Sequence, residues 1–229
     1  GPTNKIFWVA CLALTFTSFC AGSPTGLRVA IYSGTGAEAD KTLALYRAVA
    51  ALGDTPLAVT KADITSGRLN PTNFPVFIIP AGEDGKKCCA GHFSDVDDLG
   101  ALAEDNAIRA YLNAGGGVVA IEAGAFYTSK NGGTLDIFLG NFNDTQPTPA
   151  KQTFTIVDPA FGTGLQEAWQ SVGGGYFSSL PTNAVIIARD AGNQPAIVRA
   201  PYGAGRVVLT SPCLELRGDS EDDWTIWDN

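Results

Sequence analysis

Apolar residues in this chain come in short blocks separated by glycine, proline and polar turns, and the spacing of the blocks predicts an α/β protein. Residues 27–32, 56–59, 75–80 and 117–121 are compact runs of mainly valine, isoleucine, leucine and alanine, without the polar alternation of a half-exposed strand. Such runs read as strands, those at 27–32 and 117–121 as buried ones. Residues 39–52 instead carry apolar side chains at Leu43, Ala44, Tyr46, Ala50 and Leu52, with Gly53 just beyond. That pattern predicts an amphipathic helix that stops at a glycine. Residues 101–113 repeat it through Leu102, Ile108, Tyr111 and Leu112, and Gly115, Gly116 and Gly117 follow. Residues 62–69 predict an irregular crossover. The order strand, helix, strand, crossover, strand, helix, strand is that of a doubly wound sheet, in which ligands bind at the carboxyl ends of the strands.

Beyond Tyr127 the pattern changes. Residues 135–142 are apolar but broken by glycine, residues 145–149 form a loop, and residues 153–157 alternate as an edge or antiparallel strand does. Gly173, Gly174 and Gly175 precede Tyr176 and Phe177. Residues 184–188, 196–200 and 206–210 read as three more strands, the last two joined as a hairpin through residues 202–205. The fold class expected is therefore α/β: a doubly wound, mostly parallel sheet flanked by helices, with an antiparallel C-terminal extension. The acidic tail carries Trp224 and Trp227, which are expected to pack back on the body.

Composition narrows the picture. A chain of 229 residues with 27 glycines and 17% charged residues suits one sizeable α/β core with many tight connections. A net charge of -8 without a basic cluster argues against nucleic acid or an anionic membrane as partner, because nothing would displace counterions from phosphates. Near the start, Lys5 precedes an apolar run, residues 6–21, that is shorter than the ~20 residues needed to span a bilayer, and Ala21, Gly22 and Ser23 follow. The expectation is a signal peptide over residues 1–22, one domain over residues 23–229, a secreted or periplasmic location, and no membrane attachment after cleavage. Asn143-Asp144-Thr145 is a glycosylation sequon, with a chance match in a polar loop as the alternative.

The chemistry-bearing stretch is residues 115–127. Glycines lead into Val118-Val119-Ala120-Ile121, the run ends on Glu122, and the small residues Ala123, Gly124 and Ala125 follow where a helix can begin. This is the outline of a nucleophile elbow, a tight strand-to-helix turn that holds one side chain up at the end of a buried strand. Glu122 has neither thiol nor hydroxyl. Two readings stand: a carboxylate held by backbone N–H groups that grips a ligand amine or hydroxyl, or a cap on the following helix. Ser33, Gly34, Gly82, Ala123, Tyr127, Gly174 and Tyr176 are expected around the same cleft, with turn or packing roles as the alternative. His92, the sole histidine, lies in a long loop after the third strand, either solvated or reaching the strand ends as a base. Cys88, Cys89, His92, Glu122 and Cys213 lack the usual spacing of metal ligands, and no cofactor is expected. Asp63, Asp95, Asp97 and Asp98 read as solvated acids.

Val29-Ala30-Ile31-Tyr32-Ser33-Gly34, Ile78-Ile79-Pro80-Ala81-Gly82, Ile108-Arg109-Ala110-Tyr111-Leu112 and residues 115–127, 173–177 and 201–215 form an ordered set. Over residues 27–216 it resembles the N-terminal domain of biotin-protein ligase, a branch of the class I glutamine amidotransferase-like superfamily. The resemblance implies a flavodoxin-like core. Relatives that hydrolyse glutamine carry cysteine at the elbow tip in a Cys-Ala-Gly-Ala context, where this chain has Glu122. They carry histidine in a His-Pro-Glu or similar segment after the final strand. Here that segment reads Ser211-Pro212-Cys213-Leu214-Glu215, so Cys213 takes the histidine position and Glu215 remains.

A triad needs a nucleophile within reach of a base that a third group orients, and two of those three parts are changed. The resemblance thus implies a pseudoenzyme whose inherited cleft binds a small polar ligand or a partner. The alternative is an active hydrolase or amidase using Cys213 with His92 or Glu122. In the implied fold the loops bearing Cys88, Cys89 and Cys213 share one sheet edge, so a disulfide from Cys88 or Cys89 to Cys213 is expected in an oxidising compartment. Buried thiols or a vicinal Cys88–Cys89 bond are the other outcomes.

Overall fold

The computed structural model describes residues 26–82, 99, 101–144, 150–170 and 175–216. The expected signal segment, the loop with Cys88, Cys89, His92, Asp95, Asp97 and Asp98, together with Gly174 and the tail with Trp224 and Trp227, lies outside the described residues.

The chain runs β1 (Arg28–Tyr32), α1 (Ala39–Ala51), β2 (Thr55–Val59), α2 (Lys61–Thr65), β3 (Val76–Ile79), α3 (Leu102–Asn113), β4 (Gly117–Ile121) and α4 (Ala123–Thr128). Then come β5 (Asn141–Asp144), β6 (Ala150–Ile156), a 3-10 turn (Pro159–Phe161), β7 (Gly164–Gln170), β8 (Gly175–Ser179), β9 (Val185–Arg189), β10 (Pro195–Tyr202) and β11 (Gly205–Thr210). One mixed sheet has the order β2-β1-β3-β4-β11-β10-β9-β6-β7, and β5 with β8 forms a separate two-stranded sheet. Pairing is parallel from β2 through β11 and antiparallel from there to β7. The parallel half with its antiparallel extension is the architecture that the apolar blocks predict.

Burial on both faces explains the blocks of β1, β3 and β4, whereas β2 is an edge strand and only partly buried. β3 and β4 are buried along their whole length. Alternate side chains go to opposite faces of a strand, so each run feeds two cores. On one face Val29, Ile31, Val76, Ile78, Val119, Ile121 and Val208 meet Leu45, Ala48 and Val49 of α1. On the other, Ala30, Phe77, Ile79, Val118, Ala120 and Leu209 meet Ile108, Tyr111 and Leu112 of α3 and Ala123, Ala125 and Tyr127 of α4.

Three local expectations change. The inward stripe of α1 is Lys41, Ala44, Leu45, Ala48 and Val49, while Leu43 is exposed. This is the i, i+3, i+4, i+7, i+8 face of a helix, and a lysine begins it. The crossover contains the short α2, and Asp63 is part of its capping box: Asp63 Oδ2 accepts the Thr60 N–H at 2.9 Å while Thr60 Oγ1 accepts the Asp63 N–H. Those bonds, with Arg68 at 2.7 Å, hold the Asp63 carboxyl below its usual range. Finally, β7 forms an edge strand where the sequence Gly-Leu-Gln-Glu-Ala-Trp-Gln carries too many polar residues to announce itself.

Tyr111 ties α3 to the sheet. Its buried hydroxyl donates to the carbonyls of Phe74 at 3.0 Å and Gly117 at 3.1 Å. A Cβ on Gly116 would fall 2.3 Å from the ring, so glycine is required where the chain passes under it. Tyr111→Phe leaves both carbonyls without this donor and is expected to cost about 1–3 kcal/mol in urea unfolding; an unchanged midpoint would contradict this role.

Candidate active site at the strand-to-helix elbow

The carboxyl ends of β1, β3, β4 and β11 lie side by side along one edge of the sheet, and Glu122 follows β4 there. β4 ends at Ile121, and Glu122 adopts φ 51° and ψ -107° before α4 begins. A non-glycine residue there stores strain of roughly 1–3 kcal/mol and persists only where its surroundings over-determine it. The Glu122 N–H donates to Thr210 O at 2.8 Å, on the neighbouring β11, and the Glu122 carbonyl accepts from Phe126 N at 2.9 Å, the first turn of α4. A Cβ on Gly124 would lie 2.5 Å from Ile79 O and 2.8 Å from Pro80 O, so glycine lets α4 start against the end of β3. The elbow geometry anticipated from residues 115–127 is present, with a carboxylate at its tip.

That carboxylate makes no side-chain cap on α4. Its Oε2 lies 3.6 Å from Lys41 Nζ, and Lys41 Nζ lies 2.8 Å from Glu38 Oε2. Lys41 and Glu122 are 2% and 1% exposed, which makes this a buried ion pair. Burial alone would lower the Lys41 ammonium. Its acidic neighbours, with the Glu38 carboxylate hydrogen-bonded to it and Glu122 close by, outweigh burial and hold it above its ordinary range. Glu215, also buried, is pushed up to about 8 by desolvation; its own backbone N–H and Lys41 oppose the shift, and Glu122 and Glu38 reinforce it. Two buried carboxyls thus belong to one cluster: Glu122 faces the Lys41 ammonium, and burial favours the neutral form of Glu215.

The loop after β1 places Lys41. Ser33 N donates to Val59 O at 3.0 Å, and Ser33 Oγ donates to Ile31 O and lies 3.1 Å from Tyr46 Oη. Tyr32 Oη donates to Thr35 O, and a Cβ on Gly34 would collide with that hydroxyl at 2.6 Å. Ala37 bridges Gly82, and Glu38 N donates to Ala81 O at 3.1 Å. Ser33, Gly34 and Gly82 therefore shape the turn that delivers Glu38 and Lys41 to the elbow.

After β11, Ser211 Oγ accepts from Gly175 N at 2.9 Å and donates to Gly175 O. Cys213 is buried among Ala44, Ala81, Trp169 and Leu216. No disulfide is seen among the described residues, and the expected partners Cys88 and Cys89 lie outside them, as does His92.

Other candidates face elsewhere. Ala123 packs in the core on the α3 side. The Tyr127 hydroxyl donates to Asp105 of α3, and burial together with that carboxylate raises the phenol above its usual range. Tyr176 accepts the Asn143 side-chain N–H at 2.8 Å across β5 and β8, so the sequon asparagine is engaged in strand pairing. Among the described residues, no group of three His, Cys, Asp or Glu is placed to hold a metal, and no helix is long and apolar enough to cross a membrane. The structure thus joins Glu122, Cys213 and Glu215, and adds Glu38 and Lys41. A lysine heading a buried helical stripe is the sequence signal for Lys41.

No protein-family model matches the sequence, and no curated protein matches it. Solved structures do. A GMP synthase-like protein of Thermoplasma acidophilum is 13% identical, with 89% of this chain and 92% of that one covered, at TM-score 0.59. A glutamine amidotransferase of Thermotoga maritima is 10% identical over 84% of this chain and 78% of its own, at TM-score 0.53. The exo-β-1,4-mannosidase Op5Man5 of Opitutaceae bacterium strain TAV5 is 16% identical at TM-score 0.56; 89% of this chain is covered but only 33% of the mannosidase. The chain therefore shares its fold with these structures, a glutamine amidotransferase among them. The chain spans about a third of the mannosidase it matches.

The Glu215 shift sets a pH dependence. Its folded value of about 8 exceeds the 4.5 of an unperturbed glutamic acid, so between these values the folded chain holds a proton that the unfolded chain has released. Its contribution to stability is full below about 4.5 and is lost as pH rises toward and through the folded value. Urea midpoints are expected to fall between about pH 5 and about pH 8, and Glu215→Gln to remove most of that slope; a variant that keeps the full slope would contradict the assignment.

Proposed function

We propose that this chain is an exported, catalytically degenerate glutamine amidotransferase-like domain that binds a small polar ligand or a partner at the Glu122 elbow. In this reading it is kin to the N-terminal domain of biotin-protein ligase, with a flavodoxin-like parallel core. Residues 1–22 act as a signal peptide, and residues 23–229 work in a secreted or periplasmic setting without a membrane, nucleic acid or cofactor. The observation that carries the reading is the pairing of a presenting backbone with a non-nucleophilic tip. Glu122 keeps φ 51°, the geometry of a turn that holds a side chain toward a reactant, yet its carboxylate is ion-paired with Lys41.

The arrangement suits recognition. Glu122 offers acceptor oxygens, Lys41 offers N–H donors, and a neutral Glu215 offers one of each. A ligand with an amine, amide or hydroxyl group is matched by that set. Fold likeness has no say in the reaction, so the reading rests on these side chains. A second reading, an amidase or hydrolase with Cys213 as nucleophile, is favoured by one observation: Cys213 is buried against Ala44, one helical turn from the buried Lys41, and a neighbouring cation activates a thiol.

A thermal-shift screen of small amines, amides and polyols, combined with an ammonia-release assay on glutamine, separates the two. The proposal expects no turnover, and a ligand whose affinity falls about tenfold or more in Glu122→Gln, the scale of a lost charged hydrogen bond. Amide turnover that Cys213→Ala abolishes would overturn it in favour of the hydrolase. Unchanged affinity in Glu122→Gln would remove the elbow as the binding site.

A further inference from the structure

The elbow cluster is closed off by an element from outside the parallel core. Glu122, Lys41, Cys213 and Glu215 are all buried. Cys213 sits in an apolar cluster of its own with Ala44, Ala81, Trp169 and Leu216, separate from the two main cores. Ala44 is one helical turn beyond Lys41, and Ala81 is the residue whose carbonyl receives the Glu38 N–H, so this cluster forms the wall beside the charged groups. Its largest member, Trp169, is supplied by β7.

Trp169 reaches this position by a local contact. Its carbonyl accepts the Cys213 N–H at 2.8 Å, and its N–H reaches Leu216 O at 3.4 Å, an isolated bridge outside the regular ladders. β7 is the edge strand of the sheet and pairs with β6. The β6–β7 hairpin in turn joins the sheet through two register pairs, Thr155 with Arg189 and Ile156 with Ala188. Trp169 lies opposite Lys151, four residues along β6 from that anchor, or roughly 13 Å at the rise of a strand. Phe154 and Ala168 pack in the α1-side core and keep the middle of the hairpin down. Beyond them, the Trp169 bridge and its indole contacts fasten the end.

We propose that this end of the hairpin is a strap, with Trp169 as its latch, that covers the elbow site and is displaced when a ligand reaches Glu122. The purpose of the strap rests on the elbow being a binding site. Its opening does not, because it is a local detachment of one edge-strand end and proceeds while both main cores stay intact. A contact of this kind opens at a free energy well below that of global unfolding, and exposes little surface when it does.

Cys213 reports the opening without any ligand. N-ethylmaleimide labelling, quantified by mass spectrometry on the peptide that contains Cys213, is followed in a urea series below the unfolding transition. In the wild type the labelling rate is expected to rise with urea far less steeply than global unfolding does, since steepness scales with the surface exposed. Trp169→Ala is expected to label about tenfold or more faster, and Trp169→Phe, which keeps the backbone bridge and a smaller ring, to fall between the two. Urea unfolding of each variant provides the global reference, so a faster rate counts for the strap when it exceeds what lowered stability alone produces. Wild-type labelling with the full slope of global unfolding would overturn the proposal, as would a Trp169→Phe rate that merely tracks its global stability. Unchanged ligand affinity in Glu122→Gln alongside local labelling would fail the binding reading and leave the strap standing.

Discussion

A carboxylate at the end of a fully buried strand needs a counter-charge, and much of this molecule can be traced to how one is brought to Glu122. Burying a lone ionised group in a low-dielectric interior is prohibitive, and the ion-paired form persists only with close partners. Lys41 supplies the charge from 3.6 Å. To do so it must occupy the inward face of α1, where Ala44, Leu45, Ala48 and Val49 bury the helix on the sheet. The helix must also begin at the right place, and this is set by the Ala37–Gly82 bridge and the Glu38 to Ala81 hydrogen bond. The strained backbone of Glu122 is held between Thr210 and the first turn of α4, and tolerated because Gly124 clears the end of β3.

The two halves of the sheet divide the work. The parallel half gathers the carboxyl ends of β1, β3, β4 and β11 on one edge, which is where α/β sheets place their sites. The antiparallel half contributes Trp169 of β7, whose carbonyl holds the Cys213 N–H, and the separate two-stranded sheet contributes Gly175 of β8, which Ser211 grips, so the segment after β11 is held from both. That segment carries Cys213 and a Glu215 whose carboxyl is pushed up to about 8 by its burial. At the elbow itself the Glu122 carboxyl is set 3.6 Å from the Lys41 ammonium.

Much of this is legible in the sequence, for a physical reason. β1, β3, β4 and β11 are buried on both faces and so appear as unbroken apolar runs, and the elbow stands out because glycines and small residues bracket a single carboxylate. Lys41 is hidden because an α1 stripe drawn through Leu43 and Tyr46 passes it by; the register one step away begins with a lysine, a residue whose chemistry suggests solvent until its counter-charge is known. Tyr127 and Tyr176 lie beside the elbow in sequence or motif order, but side-chain direction sends one to Asp105 and the other to Asn143. β7 escapes notice because an edge strand faces water along one side and reads as polar.

The claim on which the account turns is that Lys41 and Glu122 act as one buried unit, and a double-mutant cycle measures it directly. Lys41→Met leaves Glu38 and Glu122 without their cation and is expected to cost about 3–5 kcal/mol in urea unfolding at neutral pH. Adding Glu122→Gln to it should restore a substantial part of that loss, with a coupling energy of about 1–3 kcal/mol between the two sites. Strictly additive effects of the two substitutions would contradict the account.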